Sequence, residues 1–210
     1  MALKAAIVPV TPFEQNCTIL WDDATMHATV LDPGGDVARI IETLQHLDVT
    51  ATQILLTHGH MDHAGGADEL REMTGAPVIG PDQRDRFLLQ DLPAQAARFG
   101  MQGRVLEPDQ WLTEGDTLII GTESFAVLHC PGHTPGHVVF VSTAQKVALV
   151  GDVLFRGSVG RTDFAYGDPD ALIAAITGKL LPLGDDIQFL CGHGPGSDFG
   201  TERRSNPFLR

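Results

Sequence analysis

Four apolar stretches of this chain are each followed closely by residues that bind metal ions, and this recurrence constrains the fold more than any other feature. The stretches cover residues 54–56, 125–128, 147–150 and 187–190. Short apolar runs bounded by glycine or proline are typical of strands buried on both faces, and glycine lets the backbone turn sharply behind them. The sequence therefore predicts strands whose following loops meet at one edge of a sheet.

The first stretch leads into the densest group of metal-binding side chains. Residues 57–63 read Thr-His-Gly-His-Met-Asp-His, so four candidate ligands fall within six positions: His58, His60, Asp62 and His63. His58 and His60 alternate and can point to one side, while Asp62 and His63 turn toward a neighbouring position. One loop can therefore provide ligands for two ions. Imidazole and carboxylate ligands suit zinc or iron better than magnesium or calcium, which prefer oxygen ligands. The segment predicts a transition-metal site.

The other three stretches supply further candidate ligands. His133 ends the segment His-Cys-Pro-Gly-His, Asp152 follows Gly151, and His193 ends the segment Cys-Gly-His. A single histidine is more often a surface residue or a hydrogen-bonded core residue. Seven candidates behind four strands, however, together predict a metal centre.

Length and charge narrow the class of protein. A chain of 210 residues is expected to form a single domain over residues 1–210 with a large core. The formal net charge of −13, with only 14 basic residues, disfavours nucleic acid and anionic membranes as partners. No run of eighteen apolar residues occurs, and residues 1–9 are too short and too proline-interrupted for a signal peptide. We therefore expect a cytoplasmic protein, and its three cysteines are expected to be reduced.

The order of strand and helix patterns predicts an α/β fold. Three strand signals precede a helix that Asp36 can cap, and a second helix ends at Gly75. Residues 82–100 have a helical pattern broken at Pro93, residues 116–149 form a series of strands, and Asp168 opens a further helix. Two strand-rich halves, each with helices, indicate an αβ/βα sandwich: two mixed sheets packed together with helices on the outer faces. Within it, residues 87–93 either cap a substrate pocket or pack on a sheet.

Several motifs together resemble those of one known superfamily. Residues 57–63, the segment Pro-Gly-His-Thr-Pro-Gly-His at 131–137, Gly-Asp at 151–152 and Gly-His-Gly-Pro at 192–195 resemble the successive motifs of the metallo-β-lactamase superfamily. Gly-Arg-Thr-Asp-Phe at 160–164 and Asn-Pro-Phe at 206–208 resemble the short glyoxalase II-like hydrolases, which lack the C-terminal helical domain of the longer enzymes. The resemblance spans most of the chain and implies the metallo-β-lactamase αβ/βα sandwich.

Carried over position by position, the resemblance implies two ion sites and a bridge. The first site comprises His58, His60 and His133, the second comprises Asp62, His63 and His193, and Asp152 bridges them. Two zinc ions per chain are expected, with iron or manganese as alternatives. Metal binding lowers the pKa of water from about 15.7 to about 7, so a hydroxide between the ions is the expected nucleophile.

Two further roles follow from that ligand set. Asp62 and Asp152 are expected to be catalytic as well as ligands, because their charges leave the hydroxide-bearing dinuclear centre with one positive charge to meet an anionic transition state. His137 lies four residues beyond His133, and we expect it to orient a ligand or to pack beneath the site, since seven positions already complete both sites.

The implied reaction is thioester hydrolysis of the glyoxalase II type, in which S-D-lactoylglutathione and water give D-lactate and glutathione. Arg156 and Arg161 follow Asp152 closely and are candidates to bind a glutathione carboxylate, although Arg161 can instead pair with Asp163. Because the extra C-terminal domain is absent, the sequence leaves open how glutathione is held. It also leaves the oligomeric state open.

Three other functions remain as alternatives. The first is an iron-dependent persulfide dioxygenase with a single ion on His58, His133 and Asp152. The second is hydrolysis of a β-lactam, a nucleic acid, or another thioester or ester, of which the acidic charge disfavours nucleic acid. The third is a non-catalytic module that binds metal or a thiol ligand, which the complete ligand set disfavours.

Overall fold

Two β-sheets pack against each other in the computed structural model, which describes residues 3–210. Residues 1 and 2 lie outside the described residues; they belong to the segment 1–9, which we interpreted as too short for a signal peptide. The first sheet has the order β1-β2-β3-β4-β5: β1 (Leu3–Val10), β2 (Gln15–Asp22), β3 (His27–Leu31), β4 (Thr50–Leu55) and β5 (Val78–Ile79). The second has the order β13-β12-β9-β8-β7-β6: β6 (Thr117–Ile120), β7 (Glu123–His129), β8 (Val138–Ser142), β9 (Val147–Gly151), β12 (Gln188–Cys191) and β13 (Ser197–Asp198).

The remaining elements are short helices and one hairpin. The hairpin consists of β10 (Leu154–Phe155) and β11 (Ser158–Val159). The α-helices are α1 (Val37–His46), α2 (Met61–Ala64), α3 (Ala67–Thr74), α4 (Arg86–Gln90), α5 (Leu92–Ala97), α6 (Pro169–Ala175) and α7 (Phe199–Ser205). A π-helical turn, Ile176–Leu180, continues α6, and 3₁₀ turns cover Gln83–Asp85, Leu181–Leu183 and Pro207–Leu209.

The buried apolar residues form three layers of core. Leu20 and Leu55 of the first sheet meet Phe125 and Phe140 of the second sheet between the two sheets. Helices α1 and α3 to α5 cover the outer face of the first sheet, and α6 and α7 cover the outer face of the second. Each large apolar side chain buried in this way contributes about 1.5 to 3 kcal/mol relative to exposure. The arrangement confirms the predicted αβ/βα sandwich.

The two sheets are joined at the edge where the predicted ligand loops emerge. Strands β3, β4 and β5 run parallel, as do β9 and β12, so their carboxyl ends lie together in each sheet. The N–H of Val138 donates to the carbonyl of Thr57 over 2.8 Å, and the N–H of Asn16 donates to the carbonyl of Gly192 over 2.7 Å. These bonds cross from one sheet to the other and fix the loops relative to each other.

The predictions for the ends of individual helices were confirmed in one case and wrong in another. Asp168 caps α6 as predicted, accepting the N–H of Ala171. The predicted cap of α1 is wrong: Asp36 has a left-handed backbone (φ 47°), and its carboxylate accepts the N–H of Thr11 over 2.8 Å instead. The helical pattern predicted over residues 82–100 is broken at Asp91, between α4 and α5, and Pro93 lies in the first turn of α5, where its missing N–H is not needed.

No helix within residues 3–210 is long and apolar enough to span a membrane.

Candidate metal centre

Three histidine rings form the first group at the sheet edge. His58 and His60 follow β4, and His133 follows β7. Nδ1 of His60 lies 3.1 Å from Nε2 of His58 and 3.0 Å from Nε2 of His133. The three nitrogens are close enough to one another to hold one ion. The structure thus brings together the first predicted set, which we call the first triad.

A second group lies beside the first. Asp62 and His63 occupy the first turn of α2, and His193 follows β12. Oδ2 of Asp62 lies 3.3 Å from Nε2 of His193 and 3.8 Å from Nε2 of His63. The sequence predicted a loop here, but a helical turn separates these two ligands from His60 because each helical residue rotates by about 100°. We call this group the second triad.

Asp152 faces both triads from the end of β9. Its Oδ1 lies 3.3 Å from Nε2 of His63, and its Oδ2 lies 3.6 Å from Nε2 of both His133 and His193. Gly192 makes this approach possible, since a methyl group there would collide with the carboxylate of Asp152 and the ring of His63. This placement is the one that the predicted bridging role requires.

The chemistry of the cluster fits metal ions. Nε2 of His63 and Oδ1 of Asp152 are both buried and have no hydrogen-bond partner among the described residues. A buried polar atom left unpaired costs about 1 to 3 kcal/mol, so such atoms need an explanation. A cation between the nitrogen lone pair and the carboxylate supplies both with a partner. The seven predicted ligands therefore suit one or two ions.

The outward nitrogens of the histidines support the same conclusion. Nδ1 of His63 lies 2.9 Å from Oδ2 of Asp32, Nδ1 of His133 lies 2.8 Å from the carbonyl of Arg161, and Nε2 of His60 lies 2.8 Å from the hydroxyl of Tyr166. When each outward nitrogen donates its proton to such an oxygen, the inward nitrogen keeps a free lone pair. Partners of this kind orient metal ligands and fix their tautomers.

Asp32 and Tyr166 are two site residues that sequence reasoning missed. Besides bonding His63, Asp32 accepts the N–H and the hydroxyl of Thr57 over 2.8 and 2.7 Å. The Thr57 oxygen lies 2.9 Å from Nδ1 of His58, so one carboxylate orients a histidine of each triad. A signal for Asp32 existed, because it directly follows β3 just as the predicted ligands follow other strands.

His137 lies behind the cluster, as its predicted positioning role requires. Its ring stacks on that of His58 with centroids 4.7 Å apart, and its Nε2 accepts the backbone N–H of Asp152 over 3.1 Å. That bond occupies the Nε2 lone pair. His137 therefore positions Asp152 and is not placed as a ligand.

Asp85 links the two loops that carry the first triad, and sequence reasoning missed it as well. Its carboxylate is buried and accepts the N–H of Gly59, the hydroxyl of Thr134 and the N–H of Gly136 over 2.9, 2.7 and 2.6 Å. Burial raises the pKa of Asp85 to about 6, and the three hydrogen bonds oppose that rise. No signal in the sequence marks this clamp, because the residues that it joins are 26 to 51 positions away.

We expect Asp85→Asn to destabilise the protein by about 1 to 3 kcal/mol. In the variant, an amide NH₂ group would replace one carboxylate oxygen and would face a buried hydrogen-bond donor, which would lose its acceptor. For a chain of this size that loss corresponds to a decrease in Tm of roughly 2 to 12 °C in thermal unfolding. Asp48→Asn is the matched control, since Asp48 is exposed and its left-handed backbone suits asparagine. Equal melting temperatures for the two variants would contradict the clamp.

The two triads differ in protonation. Burial lowers the pKa of His58 well below its usual value and that of His60 to about 3, and burial also lowers the pKa of His133. Burial acts in the same direction on His63 and His193, but the carboxylates of Asp152 and Asp62 outweigh it and raise both pKa values. Without metal, burial therefore favours neutral rings in the first triad, and the neighbouring carboxylates favour protonated rings in the second.

Acidification is therefore expected to release metal from the second triad first. An ion must displace the protons of His63 and His193, so its affinity falls as the pH falls toward and below their raised pKa values. The first triad has no such competition near neutral pH. Ion counts after dialysis at about pH 8, 7 and 6 test this expectation. Simultaneous loss of all metal over that range would contradict it.

A cleft of about 920 Å³ opens onto the cluster. Its volume lies within the usual range for small-molecule sites. Aromatic side chains form part of its wall, with Phe164 stacked on Tyr166 at 5.3 Å and the ring of Phe13 edge-on to that of Phe99 at 4.9 Å. Phe87 lines the cleft while Leu89 of the same helix is buried against the first sheet. Residues 87–93 thus pack on the first sheet and also contribute Phe87 to the wall of the cleft, and a capping role stays a prediction.

The two predicted substrate-binding arginines are placed differently. Arg161 lines the cleft, but its Nε and Nη2 lie 3.0 and 3.1 Å from the carboxylate of Asp163, and its guanidinium lies 5.0 Å from the ring centre of Phe164. The alternative of internal pairing is therefore what the structure shows. Arg156 is exposed in the turn between β10 and β11 and is not among the residues that line the cleft.

Comparison with known proteins agrees with this geometry. Residues 10–193 match the family model described as the metallo-beta-lactamase superfamily. The chain belongs to the metallo-beta-lactamase superfamily. Within that superfamily it is 48% identical over 209 residues to the hydroxyacylglutathione hydrolase GloC of Haemophilus influenzae, covering 99% of this chain and 98% of that protein. It is a metal-dependent hydrolase similar to glyoxalase II.

Two solved structures are similar over nearly their whole length. BLEG-1, described as a B3 metallo-beta-lactamase, superposes with a TM-score of 0.90 at 38% identity, covering 98% of this chain and 99% of that one. TTHA1623, solved in a di-iron-bound form, gives a TM-score of 0.88 at 35% identity, covering 97% of this chain and 100% of that one.

Proposed function

We propose that this enzyme hydrolyses S-D-lactoylglutathione to D-lactate and glutathione. The observation that carries the proposal is that Asp152 faces two ligand triads at a cleft. Buried atoms of Asp152 and His63 there have no hydrogen-bond partner in the part of the chain that the structure describes. The name of the Haemophilus influenzae relative supports the substrate class. We also propose two ions per chain. Zinc is the first choice of element, and the di-iron form of TTHA1623 supports iron as an alternative.

The proposed ligands are His58, His60 and His133 for one ion and Asp62, His63 and His193 for the other, with Asp152 shared. When bound, the ions lower the pKa of water and polarise the carbonyl of the thioester. Asp62 and Asp152 offset part of the positive charge of the ions. The surplus that remains favours an anionic transition state.

The rest of the chain orients these groups and shapes the cleft. Asp32 and Tyr166 hold the outward nitrogens of His63 and His60, so the rings cannot rotate away from the reacting centre. The aromatic side chains of the wall offer an apolar surface for the substrate to pack against. A thiolate leaves without prior protonation, so the reaction requires no general acid, and no serine or cysteine nucleophile is needed.

The test is an assay of metal-loaded protein on S-D-lactoylglutathione, with thiol release and D-lactate measured separately. We expect the two products in equal amounts, because cleavage of one thioester bond yields one of each. A release of thiol without D-lactate would contradict the proposed substrate. Failure to cleave lactoylglutathione or any other acyl thioester would contradict the thioesterase activity itself.

β-Lactam hydrolysis is a second candidate, favoured by the 38% identity to BLEG-1. The same preparation should therefore be assayed on a β-lactam. Turnover of the β-lactam with a kcat/KM above that for every thioester would replace the proposed function. Oxygen consumption with a persulfide by protein that holds one iron per chain would favour the dioxygenase alternative.

A further inference from the structure

Arg98 is a cation on the wall of the cleft. It is exposed at the carboxyl end of α5 and lines the cleft that leads to both triads. Its guanidinium forms no hydrogen bond or ion pair within residues 3–210. The other guanidinium of the wall, that of Arg161, is held by both oxygens of Asp163. Arg98 therefore has all its donors available for a ligand.

The position of Arg98 is tied to the segment that carries the proposed ligands. Gln95, three residues earlier, accepts the N–H of Met61 over 3.1 Å through Oε1 and donates to the carbonyl of Leu88 over 2.8 Å. Met61 lies between His60 and Asp62. On its other face, α5 buries Leu92 and Ala96. The helix that presents Arg98 is thus fixed relative to the reacting centre.

The charge of Arg98 also acts on a group at the floor of the cleft. Burial and the carboxylate of Asp85 raise the pKa of Tyr166 to about 12, and the guanidinium of Arg98 opposes them. The hydroxyl of Tyr166 lies 2.8 Å from Nε2 of His60. Arg98 and Tyr166 line the same cleft, so a ligand that occupies it can contact both.

We propose that Arg98 binds a carboxylate on the thiol portion of the thioester, an inference that rests on the proposed function. The reacting carbonyl must lie at the two triads, so the thiol portion extends along the cleft wall. A planar guanidinium with five donors binds a carboxylate through two parallel hydrogen bonds. Asp91 lines the same cleft and repels such a group, which gives a charge test of opposite sign.

The experiment compares four variants with the wild-type holoenzyme: Arg98→Ala, Arg98→Lys, Asp91→Asn and Arg86→Ala. Arg86 is the matched control, because it lies on α4, pairs with Glu107 at 3.3 Å and does not line the cleft. The substrates are S-D-lactoylglutathione and its diethyl ester, in which both carboxylates are blocked. KM and kcat are measured separately, and calorimetry measures the binding of S-methylglutathione, which cannot be hydrolysed.

For lactoylglutathione, Arg98→Ala should raise KM by about ten- to hundredfold, as expected for loss of a charged hydrogen bond, with kcat within about twofold. The diethyl ester should show little change. Arg98→Lys should retain part of the effect, Asp91→Asn should lower KM for the charged substrate only, and Arg86→Ala should match the wild type. Affinity for S-methylglutathione should fall with Arg98→Ala by the same factor as KM rises.

Equal changes on the charged and esterified substrates would overturn the proposal, as would no change on either. Both results would fit a cation that merely stabilises the end of α5. If the wild type hydrolyses neither thioester, the proposed function fails and S-methylglutathione binding decides the role of Arg98. In that case, equal affinities of the wild type and Arg98→Ala for S-methylglutathione would overturn this inference too. A tenfold or larger loss of that affinity in Arg98→Ala would support it.

Discussion

Asp152→Ala is expected to lower kcat for S-D-lactoylglutathione by on the order of a thousandfold, since metal-ion catalysis is worth several kcal/mol at about 1.4 kcal/mol per factor of ten. Asp152 is the carboxylate that faces both triads, with contacts of 3.3 to 3.6 Å to His63, His133 and His193. Its loss removes the negative charge that screens two cations from each other. Steady-state kinetics and ion counting by plasma mass spectrometry on the same sample measure both effects.

Asp152→Asn separates charge from shape in this prediction. The amide keeps the volume and one oxygen, so the variant should fold like the wild type and bind metal more weakly. Thermal unfolding of both variants without metal provides the folding control. Full metal content in Asp152→Ala, with activity within tenfold of wild type, would show that Asp152 does not hold the centre together.

His193→Ala is expected to remove one of two ions and to lower kcat/KM by at least about a hundredfold. This loss of activity is larger than that usually seen when a residue that only orients a metal ligand is replaced. His193 contributes Nε2 to the second triad alone, at 3.3 Å from Asp62, and its loop is held by Asn16. The first triad is complete without it. Ion counts should therefore fall from about two to about one per chain.

His137→Ala is the matched control for His193→Ala. His137 contacts the centre only through the backbone N–H of Asp152 and by stacking on His58, so its loss should leave both ions bound and reduce activity by about ten- to hundredfold at most. Loss of metal from His137→Ala combined with full metal in His193→Ala would overturn the assignment of the second site.

The positions that the sequence predicted well are those where one local rule decides the outcome. An apolar run followed within a few residues by a candidate ligand located β4, β9 and β12 together with His58, Asp152 and His193, because parallel strands bring their carboxyl ends to one edge. The layer order followed from the two strand-rich halves. Asp168 was also predictable, since a helix N-cap depends on its immediate neighbours.

The positions that were missed depend on distant contacts. Asp85 joins Gly59 to Gly136, and Tyr166 reaches His60 from 106 residues away, so neither has a local pattern. Asp36 failed as a cap because its carboxylate accepts the N–H of Thr11, which lies 25 residues earlier in the chain. Arg98 was missed because its place on the cleft wall depends on the packing of α5, which Gln95 ties to Met61.

The most direct test of a metal-dependent thioesterase with a two-ion centre is to return metal stepwise to metal-free protein and measure hydrolysis of S-D-lactoylglutathione at each step. Zinc, iron(II) and manganese(II) are titrated separately, and bound ions are counted at each point. We expect negligible turnover without metal and a rise to a plateau at about two ions per chain with at least one of the three. Full activity in the metal-free protein, or no turnover of any thioester by fully loaded protein, would contradict the proposed chemistry.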